Sequence, residues 1–228
     1  IPMKAIIWIT IFVTLLALVG CTPPTGPVEI QVYSTDFSSP QTGWADNYTT
    51  PDGFCTFDIA DGLYTIVNRH VELNYRQFIP YGFGIYPGKI NGSYAIQADM
   101  TVTCTDTATD GACGFEFNWQ DFEGKYIFYL STTDSRYWVR RVKEGSYVPD
   151  PISQTDSPAI KPPGQMNTVK LIQYRNSLDI VINGTKVGSY EITKPSGDLR
   201  VGVLCSSWNN TGSVTASYDN VYVFKVIQ

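Results

Sequence analysis

Carboxylate side chains are concentrated in one short stretch near the middle of the sequence. Glu116, Asp121 and Glu123 fall within eight residues. Two carboxyl groups held about 5 Å apart can cleave a glycosidic bond through a covalent intermediate. The alternation of apolar residues places Glu116 on a predicted strand, whereas Asp121 and Glu123 fall in the turn that follows. We therefore expect no rigid carboxylate pair here, and we assign no catalytic residue.

His70 is the one histidine in the sequence. A serine triad would need it, but it lies in a polar connection between two predicted strands with no nucleophile motif beside it. A zinc site would need it too, and no Cys-x-x-Cys pair accompanies it. We interpret His70 as a solvated loop residue.

A second group of side chains has the character of a sugar-binding surface. Aromatic rings stack on sugar faces while neighbouring polar groups hold the hydroxyls. The candidate ligand-binding residues on one outward sheet face are Glu116, Asn118, Tyr129, Trp138 and Arg140, with Trp208 as a loop-tip aromatic. The alternative is an ordinary solvated face, with Trp138 packed under a loop and Trp208 closing one end of the fold.

The stretch Gly114–Ser131, read as a β-hairpin, positions most of these residues. Large apolar residues alternate with other residues on both sides of a short polar connection that ends at Gly124. The expected register pairs Trp119 with Tyr126, Phe117 with Phe128 and Phe115 with Leu130. A slip of one residue would move half of these side chains into water. Tyr129 is expected to point outward, away from the core.

The remaining sequence consists of short alternating segments that predict about twelve strands and no amphipathic helix. Tyr94–Val102 is the most regular of them, and Asn183-Gly184 is the strongest turn signal. Ser146–Gly164 contains five of the 14 prolines and is predicted to be mostly irregular. Fifteen Tyr, five Trp and 11 Phe favour pleated sheets. We predict one all-β domain over residues 28–228, a two-sheet antiparallel sandwich.

The first 27 residues have the features of an export signal and a tether. Lys4 precedes the apolar run Ala5–Val19, which is shorter than the roughly 20 residues that span a bilayer. Leu18-Val19-Gly20-Cys21 resembles the lipobox of bacterial lipoproteins, in which the cysteine receives a lipid. We predict a signal peptide at 1–20, then the lipidated Cys21 and a linker through residue 27; the alternative is an uncleaved transmembrane anchor. The expected location is extracytoplasmic, on the cell surface or outer membrane, with membrane contact through the lipid only.

The charge of the chain narrows the choice of partners. Without residues 1–20, the protein has 15 basic and 21 acidic residues, a balance of −6. This acidic surface argues against nucleic acid and anionic membranes as partners.

Four cysteines follow Cys21, and an even number outside the cytoplasm predicts disulfides. Cys104 and Cys113 flank a polar loop, so a bridge between them is the first choice. Cys55 and Cys205 then pair by elimination. Three connectivities are possible, and the sequence does not decide among them.

Several short motifs resemble the concanavalin A-like lectin and glucanase superfamily, near its laminin G-like and sugar-hydrolase jelly rolls. They are Thr35–Pro40 with Gly43-Trp44, Ala60–Ile66, Tyr94–Met100, the hairpin, Leu178–Gly184 and Tyr218–Val221. The resemblance implies a jelly roll of two curved sheets, adjacent first and last strands, and a frequent connection to carbohydrate, but no single activity.

The resemblance also implies two kinds of site. In many relatives the first and last strands supply oxygen ligands to calcium, and Asp36 and Asp219 are the matching candidates. The alternative is that both aspartates cap strand ends by accepting backbone hydrogen bonds. The glucanases of the superfamily have Glu-x-Asp-x-x-Glu on one strand, and the cluster from Glu116 to Glu123 departs from that pattern.

The leading hypothesis is a non-catalytic cell-surface lipoprotein whose jelly roll binds glycan or polysaccharide. A second is a structural or adhesive protein that binds another protein or itself. A third is a sugar-active hydrolase whose site the sequence does not reveal; a cleft with two close carboxylates would favour it.

Overall fold

A computed structural model describes residues 27–39, 41, 43–69, 90–105, 111–120, 124–208 and 212–227, and the backbone of residues 74–78. The predicted signal peptide, Cys21, His70, Asp121 and Glu123 lie outside the described residues. Within these ranges there is no helix long and apolar enough to cross a membrane.

The described residues form fifteen strands. They are β1 (Val28–Thr35), β2 (Tyr48–Thr49), β3 (Cys55–Ala60), β4 (Leu63–Asn68), β5 (Asn74–Phe78), β6 (Tyr94–Cys104), β7 (Gly111–Gln120), β8 (Gly124–Ser131), β9 (Arg136–Lys143), β10 (Ser146–Asp156), β11 (Asn167–Tyr174), β12 (Ser177–Ile182), β13 (Thr185–Glu191), β14 (Arg200–Ser207) and β15 (Val214–Ile227).

The strands build two antiparallel sheets that pack face to face. The nine-stranded sheet has the order β13-β12-β11-β6-β15-β4-β3-β2, and β1 pairs with β15 beside it. The six-stranded sheet has the order β10-β9-β8-β7-β14-β5. Val28 pairs with Ile227, so the first and last strands are neighbours, as the resemblance implied. The predicted all-β, two-sheet sandwich is confirmed.

The main core lies between the sheets and is formed by alternate residues of nearly every strand. Strand β6 shows the pattern well, because Tyr94, Ile96, Ala98 and Met100 are all at most 1% exposed. Gln97 and Asp99, which lie between these residues, are polar and half-buried. This is the alternation predicted for Tyr94–Val102, and it fixes which face of the strand packs inward.

The hairpin β7–β8 forms as predicted, but in a different register. Phe117 lies opposite Tyr126 and Phe115 opposite Phe128, two residues away from the expected pairing. A two-residue shift keeps each side chain on its face, so these four rings are still buried in the core. Trp119 does not join them; it is half-buried, and the expectation of a core tryptophan here is wrong.

Strand β10 corrects a second prediction. The start of Ser146–Gly164 was expected to be irregular because of its prolines, yet Ser146–Asp156 pairs with β9. Pro149 and Pro151 are tolerated because β10 is the edge strand of the six-stranded sheet, where a missing N–H need not break a ladder. The register shifts between Val148 and Ile152 mark the place where the prolines interrupt the pairing.

Candidate functional site on the outer face of the six-stranded sheet

Most of the predicted ligand-binding residues share the outer face of the six-stranded sheet, which points away from the nine-stranded sheet. On β8 and β9, Tyr129 and Trp138 alternate with side chains that enter the main core. Their rings stack with centres 5.0 Å apart and an angle of 20° between planes. Trp208, directly after β14, packs against both with its ring 5.4 Å from each. We call Tyr129, Trp138 and Trp208 the aromatic cluster.

The aromatic cluster is buried, which corrects the expectation of an exposed binding surface. Tyr129 is fully buried and Trp138 is 4% exposed. The rings pack with apolar side chains from three strands, namely Ala112, Ile127 and Leu204. Large rings that stack on one another cover most of their own surface, so this face carries a second, smaller core.

Three buried polar atoms on the same face have no hydrogen-bond partner in the described part of the chain. They are Trp138 Nε1, Ser131 Oγ and Ser206 Oγ. Ser131 follows Tyr129 by two residues and Ser206 follows Leu204 by two, so both serines share the face of the cluster. Buried polar groups in folded proteins nearly always have hydrogen-bond partners.

Glu116 places a fully buried carboxylate on this face. Lys125 donates a hydrogen bond from Nζ to Glu116 Oε1 at 2.8 Å, and its own side chain is 13% exposed. Glu116 lies opposite Ile127 on β8 and Gly202 on β14. An ion buried without a counter-ion is strongly unfavourable, so Lys125 neutralises the carboxylate and fixes the direction of its oxygen.

Asn118 does not share this face, and its assignment as an outward residue is wrong. The β7–β8 pairing shifts between Phe117 and Gln120, and Asn118 there has a φ of 51°. Such a bulge redirects the side chain. Asn118 is buried between the sheets, where Oδ1 accepts from Tyr94 Oη at 2.9 Å and Nδ2 donates to Gln173 Oε1 at 3.0 Å.

Arg140 lies on the predicted face but near its border. Its Nε is 3.8 Å from Asp150 Oδ2, and its guanidinium is 5.2 Å from the ring centre of Tyr147. Both partners belong to the edge strand β10, so Arg140 connects the site to the rim of the sheet.

The two candidate calcium ligands take part in local hydrogen bonds. Asp36 accepts from the N–H and the hydroxyl of Ser38, at 3.1 and 2.8 Å, and these bonds hold the pKa of its carboxyl below the usual value. Asp219 lies opposite Asp99, and Asn220 Nδ2 donates to both carboxylates, at 3.1 and 2.9 Å. No group of three metal-type ligands occurs among the described residues. The side-chain amide of Asn220 therefore bridges the carboxylates of Asp99 and Asp219. The sequence did not indicate that these two aspartates pair.

The four cysteines of the domain are free thiols in the structure. Cys113 lies opposite Cys205 on the neighbouring strand, whereas Cys104 lies opposite Val214. The predicted bridges Cys104–Cys113 and Cys55–Cys205 are therefore not present. Burial raises the pKa of Cys55 and of Cys113 to about 12, and burial with the nearby Cys55 raises the pKa of Cys205. Such thiols stay protonated at neutral pH and react slowly.

No family model matches the sequence, and no curated protein matches it. Several solved structures share the fold. The kappa-carrageenase of Pseudoalteromonas carrageenovora, in complex with a kappa-carrageenan oligotetrasaccharide, is 9% identical over 91% of this chain and 100% of its own, with a TM-score of 0.56.

Two further structures have different descriptions. A β-1,3-1,4-glucanase (lichenase) from a mouse hindgut metagenome is 10% identical over 84% of this chain and 97% of its own, with a TM-score of 0.55. A Bacillus subtilis protein of unknown function with a galectin-like fold is 11% identical over 89% of this chain and 99% of its own, with a TM-score of 0.60.

At these identities the comparisons define the fold, which is a concanavalin A-like jelly roll. They also correct the leading hypothesis of a non-catalytic glycan-binding protein. The similar structures include a carrageenase, a lichenase and an endo-β-galactosidase, so glycoside hydrolases are prominent among them. The burial of Tyr129 also removes the open platform on which the binding hypothesis depended.

Proposed function

We propose that this protein is a sugar-active hydrolase that cleaves a polysaccharide on the outer face of the six-stranded sheet. The observation that carries the proposal is the position of Glu116, a buried carboxylate on the same face as the aromatic cluster and 2.8 Å from Lys125. The shared fold with glycoside hydrolases supports it.

Hydrolysis of a glycosidic bond needs a second carboxyl group beside the first. Asp121 and Glu123 follow β7 in the connection to β8 and are the nearest acids in the sequence. Asp121 comes five residues after Glu116, as the last acid of Glu-x-Asp-x-x-Glu does. The central position is Asn118, which faces the core, so it supplies no group to the site. We assign Glu116 as one catalytic carboxyl and Asp121 or Glu123 as the other.

The other residues of the face have binding roles in this proposal. Lys125 stabilises the Glu116 carboxylate. Trp138 Nε1 and Ser206 Oγ are buried, so in this proposal they bond sugar hydroxyls only after the face has opened. Trp208 packs against both Tyr129 and Trp138, and in this proposal it moves when a sugar ring binds to them.

The test is depolymerisation of a polysaccharide panel by residues 28–228, read by reducing ends and product size. The panel contains kappa-carrageenan, lichenan, agarose and mucin-type glycans. We expect Glu116→Gln to lower the rate by at least about 100-fold, the usual loss for a proton-transferring group. Asp150→Asn, also an acid-to-amide change but at the rim, is the matched control and should stay within about twofold.

Asp121→Asn and Glu123→Gln then identify the second carboxyl, and the anomeric configuration of the product reports whether it acts as a nucleophile or a base. An active Glu116→Gln variant would remove Glu116 from the mechanism. Loss of activity in Asp219→Asn instead would move the site to the Asp99–Asp219 pair. Absence of products from every substrate would contradict the proposal.

We also propose that Cys21 is lipidated and anchors the protein outside the cytoplasm, as its lipobox-like context indicates. Fatty-acid labelling of the wild type in its host, and its loss in Cys21→Ala, is the test. Normal labelling of Cys21→Ala would contradict this proposal.

In the exported protein we propose disulfides Cys104–Cys113 and Cys55–Cys205. The effect of Cys55 on the pKa of Cys205 supports the proximity of the second pair. Cys113 lies opposite Cys205 on the neighbouring strand, so a Cys113–Cys205 disulfide is the alternative. Mass spectrometry of the non-reduced digest distinguishes Cys55–Cys205 from Cys113–Cys205, and free thiols throughout would contradict both.

Calcium bound by Asp36 and Asp219 and self-association of the domain are the remaining proposals. Calorimetric titration with CaCl₂ tests the metal, with Asp36→Asn as the variant expected to lose binding. Sedimentation equilibrium tests self-association.

A further inference from the structure

A cavity of about 320 Å³ opens at the turn end of the β7–β8 hairpin. Three cationic side chains line it, namely Lys125, Arg141 and Lys143, and Glu144 is the one acid in the described lining. The rest of the wall is polar or aromatic and includes Tyr126 from β8 and Thr193 from the connection before β14. Among the described lining residues, positive side chains therefore outnumber negative ones three to one, although the net charge of the chain is −5.

The charges of the lining are only partly compensated. Arg141 makes no ion pair within the described chain; its guanidinium lies 5.5 Å from the ring centre of Tyr126. Lys143 is 3.9 Å from Glu144, and both side chains are more than half exposed, so water screens this pair. The cavity therefore offers a guanidinium and an ammonium group to an anion.

Lys125 connects this cavity to the candidate catalytic residue. It lines the cavity and also donates to Glu116 at 2.8 Å. The Lys125 side chain therefore lies between a group bound in the cavity and the Glu116 carboxylate on the outer face. The cavity lies at the end of the sandwich, so the proposal below requires a polysaccharide that extends past the end of this face.

We propose that this cavity is a subsite for an anionic substituent of the polysaccharide, either a sulfate ester or a uronate carboxylate. Arg141 is its main ligand, because a guanidinium forms paired hydrogen bonds with either kind of oxyanion. The inference rests on the proposed hydrolase function and adds the substrate class, an anionic polysaccharide.

The test compares tetrasaccharides that differ only in charge. One pair is kappa-carrageenan tetrasaccharide and its desulfated form, and the other is a galacturonan tetrasaccharide and its carboxyl-reduced form. Calorimetry measures binding, with Glu116→Gln as the background wherever the wild type cleaves the probe. We expect the wild type to prefer one charged probe at least about tenfold, the scale of a hydrogen bond to a charged group.

Arg141→Gln should abolish that preference while leaving affinity for the uncharged probes unchanged. Arg69→Gln is the control, because it removes the same charge at an exposed position directly after β4, in the nine-stranded sheet. Equal affinity of the wild type for charged and uncharged probes, or an equal loss in both variants, would overturn the proposal. Preference for the sulfated probe or for the uronate assigns the source of the anion.

Failure of this inference and failure of the hydrolase proposal have different signatures. Cleavage of a polysaccharide with no preference for charged probes contradicts the subsite alone. An Arg141-dependent preference without cleavage of any substrate contradicts the hydrolase and retains the anion site.

Discussion

Lys125 Nζ and Glu116 Oε1 are 2.8 Å apart on adjacent strands of one hairpin, and the glutamate side chain is fully buried. Removal of one partner of a buried ion pair leaves the other charge uncompensated, and this typically costs about 3–5 kcal/mol. We therefore expect Lys125→Met to lower the free energy of unfolding by about that amount in urea titrations.

The double variant Lys125→Met with Glu116→Gln provides the control, because it removes both charges. It should recover most of the loss, since a neutral pair carries no uncompensated ion. If the double variant lost as much stability as the two single variants added together, the contact would not couple the residues.

Tyr129→Ala should destabilise the protein by about 3–5 kcal/mol, the usual range for removal of a buried aromatic side chain. The ring stacks on Trp138 in the second core and is fully buried. Phe117→Ala, in the main core, should give a loss of the same size. Tyr147→Ala is the exposed control, at 56% exposure, and should cost less than about 1 kcal/mol. A loss at Tyr129 as small as at Tyr147 would mean that the second core contributes little.

Gly114→Ala should be more harmful than its size suggests. A Cβ at this position would lie 1.9 Å from the backbone oxygen of Phe128. Because a backbone atom of a central strand cannot move aside, we expect a loss at or above the roughly 1–3 kcal/mol of overpacked sites. In Gly188→Ala the clash is with the end of the Tyr190 side chain and not with backbone atoms, so this control should cost less. Similar melting temperatures for the two variants would contradict the prediction.

Alkaline pH should destabilise the fold well before the buried groups ionise in the native state. Burial raises the pKa of Cys55 and Cys113 to about 12, and it raises the pKa of Tyr94 and Tyr218. The unfolded chain releases these protons from about pH 8.5 for cysteine and about pH 10 for tyrosine. Between those values and the native pKa the unfolded state binds fewer protons, so stability falls as pH rises.

Each such group contributes a loss of about 1.4 kcal/mol per pH unit across its window. Urea midpoints of the protein with its cysteines kept reduced, measured from pH 7 to pH 11, should decline from about pH 9. Cys113→Ala removes one of the groups and should reduce the slope. A midpoint that stays constant to pH 11 would contradict the assignment of these groups as buried.

Residue alternation was sufficient to predict the sandwich and most inward-facing residues. It succeeded at β6 and at the hairpin rings because a buried face must repeat every second residue. It could not detect the bulge at Asn118, whose hydrogen bonds go to Tyr94 and Gln173, residues of two other strands. Only the tertiary structure brings those partners to it.

The sequence predicted which aromatic residues of the candidate site lie together, but it did not predict that they are buried. The sequence grouped Tyr129, Trp138 and Trp208, which do meet, but a polar alternation pattern does not tell whether a face is open or covered. Arg141 was missed because its position in the alternation assigns it to the core face. The cavity at the end of the sandwich gives its charge access to water. The pairing of β7 and β8 shifts just before Gln120, which also lines this cavity, and the sequence carries no marker of that shift.

Strand β15 has a consequence for how the polypeptide acquires its structure. It lies between β6 and β4 and also pairs with β1, so residues 214–227 complete contacts with segments more than 100 residues earlier. The nine-stranded sheet therefore cannot close until this segment has left the ribosome. Such long-range pairing slows folding, and the unpaired strands would need protection from aggregation in the meantime. Ribosome-stalled chains that end before residue 214 should accordingly remain sensitive to protease, whereas chains that expose residue 227 should become resistant.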